Sequence, residues 1–374
     1  MPSTNKKIRL ASLDALRGFD MLWLLGAEGL FAALFTATDW PVFELLSQQF
    51  EHSQWHGFTF FDLIFPLFIF LSGVSLGLAN KNLIQLPFID RKPIYKQSIK
   101  RFFILCLLGV LYNHGRGKGI PLEFNQVRFA SVLMRIAFAW FFCAMIIWHF
   151  KLKIQIVIAT VILFAYWLLQ SFIPTPNGYI GELTLEHSWN TWVDQVLLPG
   201  HIYQNLPLDP EGLLSQLPAV VNALAGAFAG RLLLDSQQSA NQKSIKLLIS
   251  GIVACCVAYL WSFVLPLNKT LWTSSFALLT IGYSVILLGL FYYLFDILKW
   301  KPLSYFFAVI GANSILLYIL TSLFNWQYLS DSIFAHLISH LNTDIQALLS
   351  IIILVLMQWF LAQRLYTHRI FIHV

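Results

Sequence analysis

Residues 51–73 read EHSQWHGFTFFDLIFPLFIFLSG, with Glu51, His52, His56 and Asp62 leading directly into an apolar run. No charged residue follows until Lys81, and about 20 residues of helix rise about 30 Å, the thickness of a bilayer core. The stretch reads as a membrane-spanning helix with a titratable mouth. Comparable runs recur along the chain, which is 58% hydrophobic and only 11% charged, against about a quarter charged in soluble proteins. The expected fold is all-α: a polytopic integral membrane protein with about ten transmembrane helices, forming a single domain over residues 1–374. The spans are predicted near 15–37, 58–79, 97–114, 129–149, 154–174, 212–234, 244–265, 271–295, 303–325 and 344–366.

The formal net charge of +6 reflects sidedness rather than nucleic-acid binding, because Lys and Arg gather in cytoplasmic loops. With both termini cytoplasmic, eighteen Lys and Arg fall on the cytoplasmic side and four, Arg116, Lys118, Arg128 and Lys269, on the other. Lys6, Lys7 and Arg9 begin the inner set, and the first apolar segment is read as a retained span rather than a cleaved signal. Segments 38–57 and 175–211 then face outward. The longer one carries Glu182, Glu186, Asp194, Asp209 and Glu211 without Lys or Arg, and its aromatic and apolar content favours an ordered lid or vestibule. Cys106, Cys143, Cys255 and Cys256 lie in predicted spans without disulfide or zinc spacing, so they read as packing residues and no metal is expected.

Charge at membrane depth is costly and marks candidate sites. Arg17 and Glu28 are eleven residues apart, which on one continuous helix sets them on a shared face roughly 16 Å apart. Asp20 is placed to pair with Arg17 at i,i+3. Asp62 opens the second span, and Pro66, one turn later, favours a kink there. Gly73 and Gly77, like Gly226 and Gly230, are spaced for close helix approach. Arg135 needs a carboxylate, a carbonyl or a phosphate, and Asn222 and Asn313 read as interhelical hydrogen-bond formers. On an i,i+4 helical face His52 and His56 could share a metal, but no third ligand is evident. Histidine is instead the side chain suited to proton exchange near neutrality.

Several motifs in order, LDALRGFDM at 13–21, HSQWHGFTFFDLIFPLFIFLSG at 52–73, VRFASVLMRIA at 127–137, DPEGLLS at 209–215, LPLNKTLWTSSF at 265–276 and GANSILLYI at 311–319, make the chain resemble the transmembrane N-acetyltransferases related to heparan-alpha-glucosaminide N-acetyltransferase. The resemblance implies transfer of acetyl from cytoplasmic acetyl-CoA to the amino group of glucosamine or a small glucosaminide on the periplasmic or lumenal side. The family's active-site histidine falls on His52. Where the lysosomal member has asparagine in the first span, this chain aligns Glu28. The implied setting is a bacterial inner membrane, with membrane lipid and a homodimer as partners.

An amine attacks a thioester only when neutral, so a site needs a proton acceptor. His52 would deprotonate the amine, with Glu28 or Asp62 orienting the ring, or would itself carry the acetyl group. Asp209, Glu211, Asn268, Lys269 and Trp55 are the candidate acceptor-site residues. Arg135, Asn222, Ser275 and Asn313 are the candidates for contact with acetyl-CoA, Arg135 serving either a phosphate or a structural salt bridge. The rival readings are a proton-coupled transporter for an amino sugar or organic anion, and an O-acetyltransferase of envelope polysaccharide.

Overall fold

The computed structural model describes residues 10–372 except Asn82, Ile84, Gln85, Arg116 and Lys118. The sidedness expectations on Lys6, Lys7, Arg9, Arg116 and Lys118 lie outside the described residues. The helices in chain order are α1 (Ala11–Leu24), α2 (Leu30–Thr38), α3 (Pro41–Gln48), α4 (Ile64–Ala79), α5 (Phe88–Asn113), α6 (Val132–His149), α7 (Leu152–Phe172) and α8 (Trp189–Leu197). They continue with α9 (Gln216–Leu234), α10 (Ala240–Ser262), α11 (Ser274–Phe291), α12 (Lys301–Gly311), α13 (Ser314–Leu323), α14 (Trp326–Ile338) and α15 (Thr343–Thr367). Among the described residues the only extended pairing is an isolated bridge between Arg128 and Gly200. The all-α expectation holds, and the chain is an integral membrane protein.

Seven helical segments are long and apolar enough to cross a membrane, or up to nine if each of two bent pairs is one span. The remaining segment of the ten expected, α5, carries Asp90, Arg91, Lys92, Lys96, Lys100 and Arg101 before its apolar part begins, so that part is short. The first predicted span is broken: α1 and the helical stretch from Ala27 to Thr38 diverge by 69° around Gly26, whose φ of +110° only glycine adopts without strain. Arg17 and Glu28 therefore do not share a helical face. Arg17 pairs with Asp14 at 3.5 Å rather than with Asp20. The ninth span breaks likewise between α12 and α13, by 56°. Pro66 lies in the first turn of α4, after a 3-10 turn over Phe60–Leu63, where its missing N–H costs no helical bond.

The bundle is organised around α4 and α9. A Cβ on Gly73 or Gly77 would strike the backbone of Ala223 or Ala227, and one on Gly226 or Gly230 would strike Phe70 or Val74. The glycines expected to promote helix approach are thus consumed inside the protomer and lend no support to a dimer. The α4 span is 72% buried and the α15 span 11%, so α4 is central and α15 peripheral. The two broken spans also pack closely, Gly18 of α1 against the Phe307 carbonyl and Gly311 of α12 against the Asp14 carbonyl.

Loop contacts sort by end. Asp296 accepts from the backbone N–H groups of Ala11 and Ser12 at 3.0 and 3.1 Å, so it caps α1 from the α11–α12 connection. At the opposite end the 51–59 loop meets the 265–273 turn and the 175–211 segment, through Gly57 N–H to the Leu267 carbonyl and Trp55 Nε1 to the Leu183 carbonyl.

Candidate active site at the outer mouth of the bundle

Residues 51–59 form a loop rather than a helix, so His52 and His56 are separated onto different partners. The loop is held from below by Asp62. Its Oδ2 accepts from the Ser53 hydroxyl at 2.9 Å, from the Thr59 hydroxyl at 3.2 Å and from the Ser53 and Thr59 backbone N–H groups. Thr59 and Asp62 form a capping box, which leaves Oδ1 free to face outward.

Oδ1 lies 2.9 Å from His52 Nδ1 and 3.3 Å from Lys269 Nζ. A carboxylate can only accept, so the imidazole proton is assigned to Nδ1 and Nε2 presents a lone pair. The His52 side chain is 55% exposed and Asp62 is fully buried. A buried carboxylate fixing one ring nitrogen of a half-exposed histidine is the arrangement of a general base or a nucleophile. Lys269 Nζ is 3.0 Å from His52 Nδ1. Burial lowers the pKa of its ammonium, while the Asp62 charge pulls it back upward.

The turn that presents Lys269 is organised by Asn268. Its Oδ1 accepts from Leu271 N–H at 2.8 Å and its Nδ2 donates to the Trp55 carbonyl at 2.9 Å. Trp272, next in the turn, has φ +51°, a left-handed conformation costly for an aromatic residue. Its indole is clamped by donation to Asn222 Oδ1 at 3.1 Å and by the Arg135 guanidinium 4.5 Å from its ring. His56 borders a cavity of about 450 Å³ with Phe172, Leu183, Thr184, Val264 and Pro266. Burial keeps the His56 pKa below its ordinary value.

Beside this site lies a second network. Arg128 donates to both oxygens of Asp209 at 2.9 and 2.7 Å and to Glu211 at 2.6 Å. Burial would lower the Arg128 pKa, but the two carboxylates hold it well above its usual value. Burial would raise Asp209, yet Arg128 keeps it below the usual carboxylate range. Asp194 on α8 accepts from the backbone N–H groups of Asp209 and Leu213, and burial pushes its pKa up to about 6. Arg135 donates to the Pro210 carbonyl at 2.9 Å and to the Ser215 hydroxyl.

The structure thus brings together His52, Asp62, Lys269, Asn268 and Trp55. It places Asp209 and Glu211 on Arg128, a resident cation that takes up their charge. Arg135 stands in the first turn of α6, against Trp272 of the Lys269 turn, beside the outer site and not at the inner surface. Asn222 donates to Thr280 Oγ1 at 3.0 Å, an interhelical bond as expected. Ser275 donates to the Leu265 carbonyl, within the Lys269 turn. Asn313 binds the Ile370 carbonyl and the Ile372 N–H of the C-terminal segment. Asn222, Ser275 and Asn313 therefore each hold a local structure, and they do not converge. Glu28 stands in the 3-10 turn after the α1 break, with Oε2 buried and without a hydrogen-bond partner. Sequence reasoning passed over Ser53 and Thr59. The spacing of Thr59 and Asp62 was the available signal for the second of them.

A family model described as heparan-alpha-glucosaminide N-acetyltransferase, catalytic, matches residues 9–257. Heparan-alpha-glucosaminide N-acetyltransferase of Mus musculus is 27% identical over 328 residues, covering 72% of this chain and 48% of that protein. The Homo sapiens protein of the same name is 26% identical over 325 residues, with the same shares. The chain spans about half the length of these curated relatives. The matched segment contains His52, Asp62, Arg128, Arg135, Asp209 and Glu211, and it ends before Lys269.

Proposed function

The chain belongs to the heparan-alpha-glucosaminide N-acetyltransferase catalytic family, and from that premise we propose that it is a transmembrane acetyltransferase. It takes the acetyl group of cytoplasmic acetyl-CoA and delivers it to the amino group of glucosamine or a small glucosaminide on the periplasmic or lumenal side. The observation that carries this reading is the 2.9 Å contact between His52 Nδ1 and the buried Asp62, made by a side chain that is itself 55% exposed.

An acceptor that arrives as ammonium first releases one proton to water; Nε2 then accepts the second proton, which the nitrogen sheds as it bonds to the acetyl carbon, and Asp62 stabilises the imidazolium that results. The Lys269 ammonium stands where it can oppose the negative charge developing on the acetyl oxygen. The amine displaces the thiolate, an amide bond forms as the thioester breaks, and the proton held on His52 returns to the departing sulfur. In the covalent variant Nε2 attacks first and holds the acetyl group as an acyl-imidazole. The cavity beside His56 is the approach assigned to the acceptor, and a bacterial inner membrane is the proposed location.

The test incubates the purified protein with acetyl-CoA and glucosamine and identifies the product by mass. N-acetylglucosamine is the expected product, and His52→Ala should reduce its formation at least 10³-fold. Normal transfer by the alanine variant would refute the assignment of His52. Rapid quench without acceptor then decides between the routes, since only the covalent one leaves an acetylated His52 peptide.

A further inference from the structure

We propose that Asp20 carries a proton through the inner half of the bundle, so that the proton shed by the acceptor ammonium leaves on the acetyl-CoA side. This rests on the acetyltransferase reading and deepens it. Asp20 has no exposure, and among the described residues neither of its oxygens has a hydrogen-bond partner. Arg17, one turn before it, is engaged by Asp14 and by the Ser75 hydroxyl of α4. An isolated carboxylate at that depth is costly as an anion and takes up a proton instead.

Orphaned polar atoms gather on the same broken span. Ser12 Oγ, both Asp20 oxygens, Trp23 Nε1 and Glu28 Oε2 are all buried without hydrogen-bond partners. On α1, Ser12, Asp20 and Trp23 fall within about 80° of one another around the axis, and the rise from Ser12 to Trp23 is about 16 Å. The line starts near the inner end, where Asp296 caps α1, and it reaches the mouth. Trp23 and Phe31, which bracket the Glu28 turn, have ring centres 4.4 and 5.1 Å from that of Phe50, two residues before His52. Midway, Gly18 packs against the Phe307 carbonyl and Gly311, the last residue of α12. That contact sets Asp20, two residues on, near the break between α12 and α13. A helix broken at membrane depth frees backbone carbonyls, and these are tolerated where protein or water satisfies them. The ammonium N–H bond breaks, and its proton passes through water to Glu28, then to Asp20, then to the inner solution. The other departing proton follows His52 to the sulfur. Ammonium and thioester thus give amide, thiol and a single free proton, with no further reactant.

The experiment uses full-length protein in vesicles of phosphatidylethanolamine and phosphatidylglycerol, loaded with glucosamine and a pH-sensitive dye. Acetyl-CoA, too polar to cross the bilayer, is added outside, so only molecules with their inner face outward react. The readout is the protons gained by the lumen for each N-acetylglucosamine formed. The parent should give a ratio near zero and Asp20→Asn a ratio of about one, the full yield of the free proton. Asp20→Glu, which keeps the carboxyl group, should return the ratio toward zero. A residue that only supports the fold lowers the product and leaves the ratio where it was. A parent ratio of about one, or a ratio near zero in Asp20→Asn, would overturn the proposal. The acetyltransferase reading fails separately, by absence of product in the parent. In such product-free vesicles, Asp20-dependent loss of an imposed pH gradient would keep the proton path and refute the enzyme. A gradient held equally by the parent and Asp20→Asn would refute both.

Discussion

Two charged networks share the outer end of the bundle, and their hydrogen bonding follows opposite plans. Around Arg128 each charge faces a partner inside the protein, and the Asp209 side chain has no exposure at all. Around Asp62 the bonding is equally dense, but it ends in a half-exposed imidazole whose second nitrogen lies 3.4 Å from the Lys269 ammonium. Both networks would look alike in a count of clustered ionisable groups. The closed one locks the 209–215 turn against α6, and the open one has a nitrogen left to react.

Three substitutions test that contrast. Asp62→Asn should lower kcat by about 10³- to 10⁴-fold, because an amide no longer enforces the Nδ1–H form of His52 or stabilises its cation. Its melting temperature should change little, since an oxygen remains for the Ser53 and Thr59 donors. A loss below tenfold in steady-state kinetics would place Asp62 with the closed network. Arg128→Ala should do the converse. It strands the buried Asp209 charge and should cost about 3–5 kcal/mol of stability, read by thermal unfolding, while protein that remains folded keeps kcat within about tenfold.

The smallest effect belongs to Asp194. Its folded-state pKa of about 6 lies above the ordinary carboxylate value of 3.8, so the folded protein binds the proton more tightly than the unfolded chain. Its contribution therefore becomes more favourable as pH falls from 7 through 6 toward 4, by at most about 3 kcal/mol. Thermal unfolding across that range should show the trend in the parent protein and a flatter profile in Asp194→Asn. An unchanged profile would show that burial at Asp194 is relieved by something else.

How much of this could be read from the residues depends on what kind of signal each feature leaves. Apolar runs report burial in lipid or protein regardless of direction, so the helical membrane fold was legible. The breaks at Gly26 and near Asn313 were not, because hydropathy continues across both. At the site, His52 and Asp62 are only ten residues apart, and their association could be anticipated. Lys269 lies 217 residues from His52 in sequence, and its contact follows from how α4 and α11 pack. Asp209 and Glu211 read as receptors for a cationic sugar because their own cation, Arg128, approaches from more than 80 residues away.

The four glycines between α4 and α9 have a consequence for genetics. No side chain fits at Gly73, Gly77, Gly226 or Gly230 without moving backbone, so alleles at these positions would fail the same growth selection as alleles at His52. The two classes separate only when the amount of protein in the membrane is measured beside the phenotype. His52 alleles should accumulate inactive enzyme, and glycine alleles should be cleared before they can be assayed.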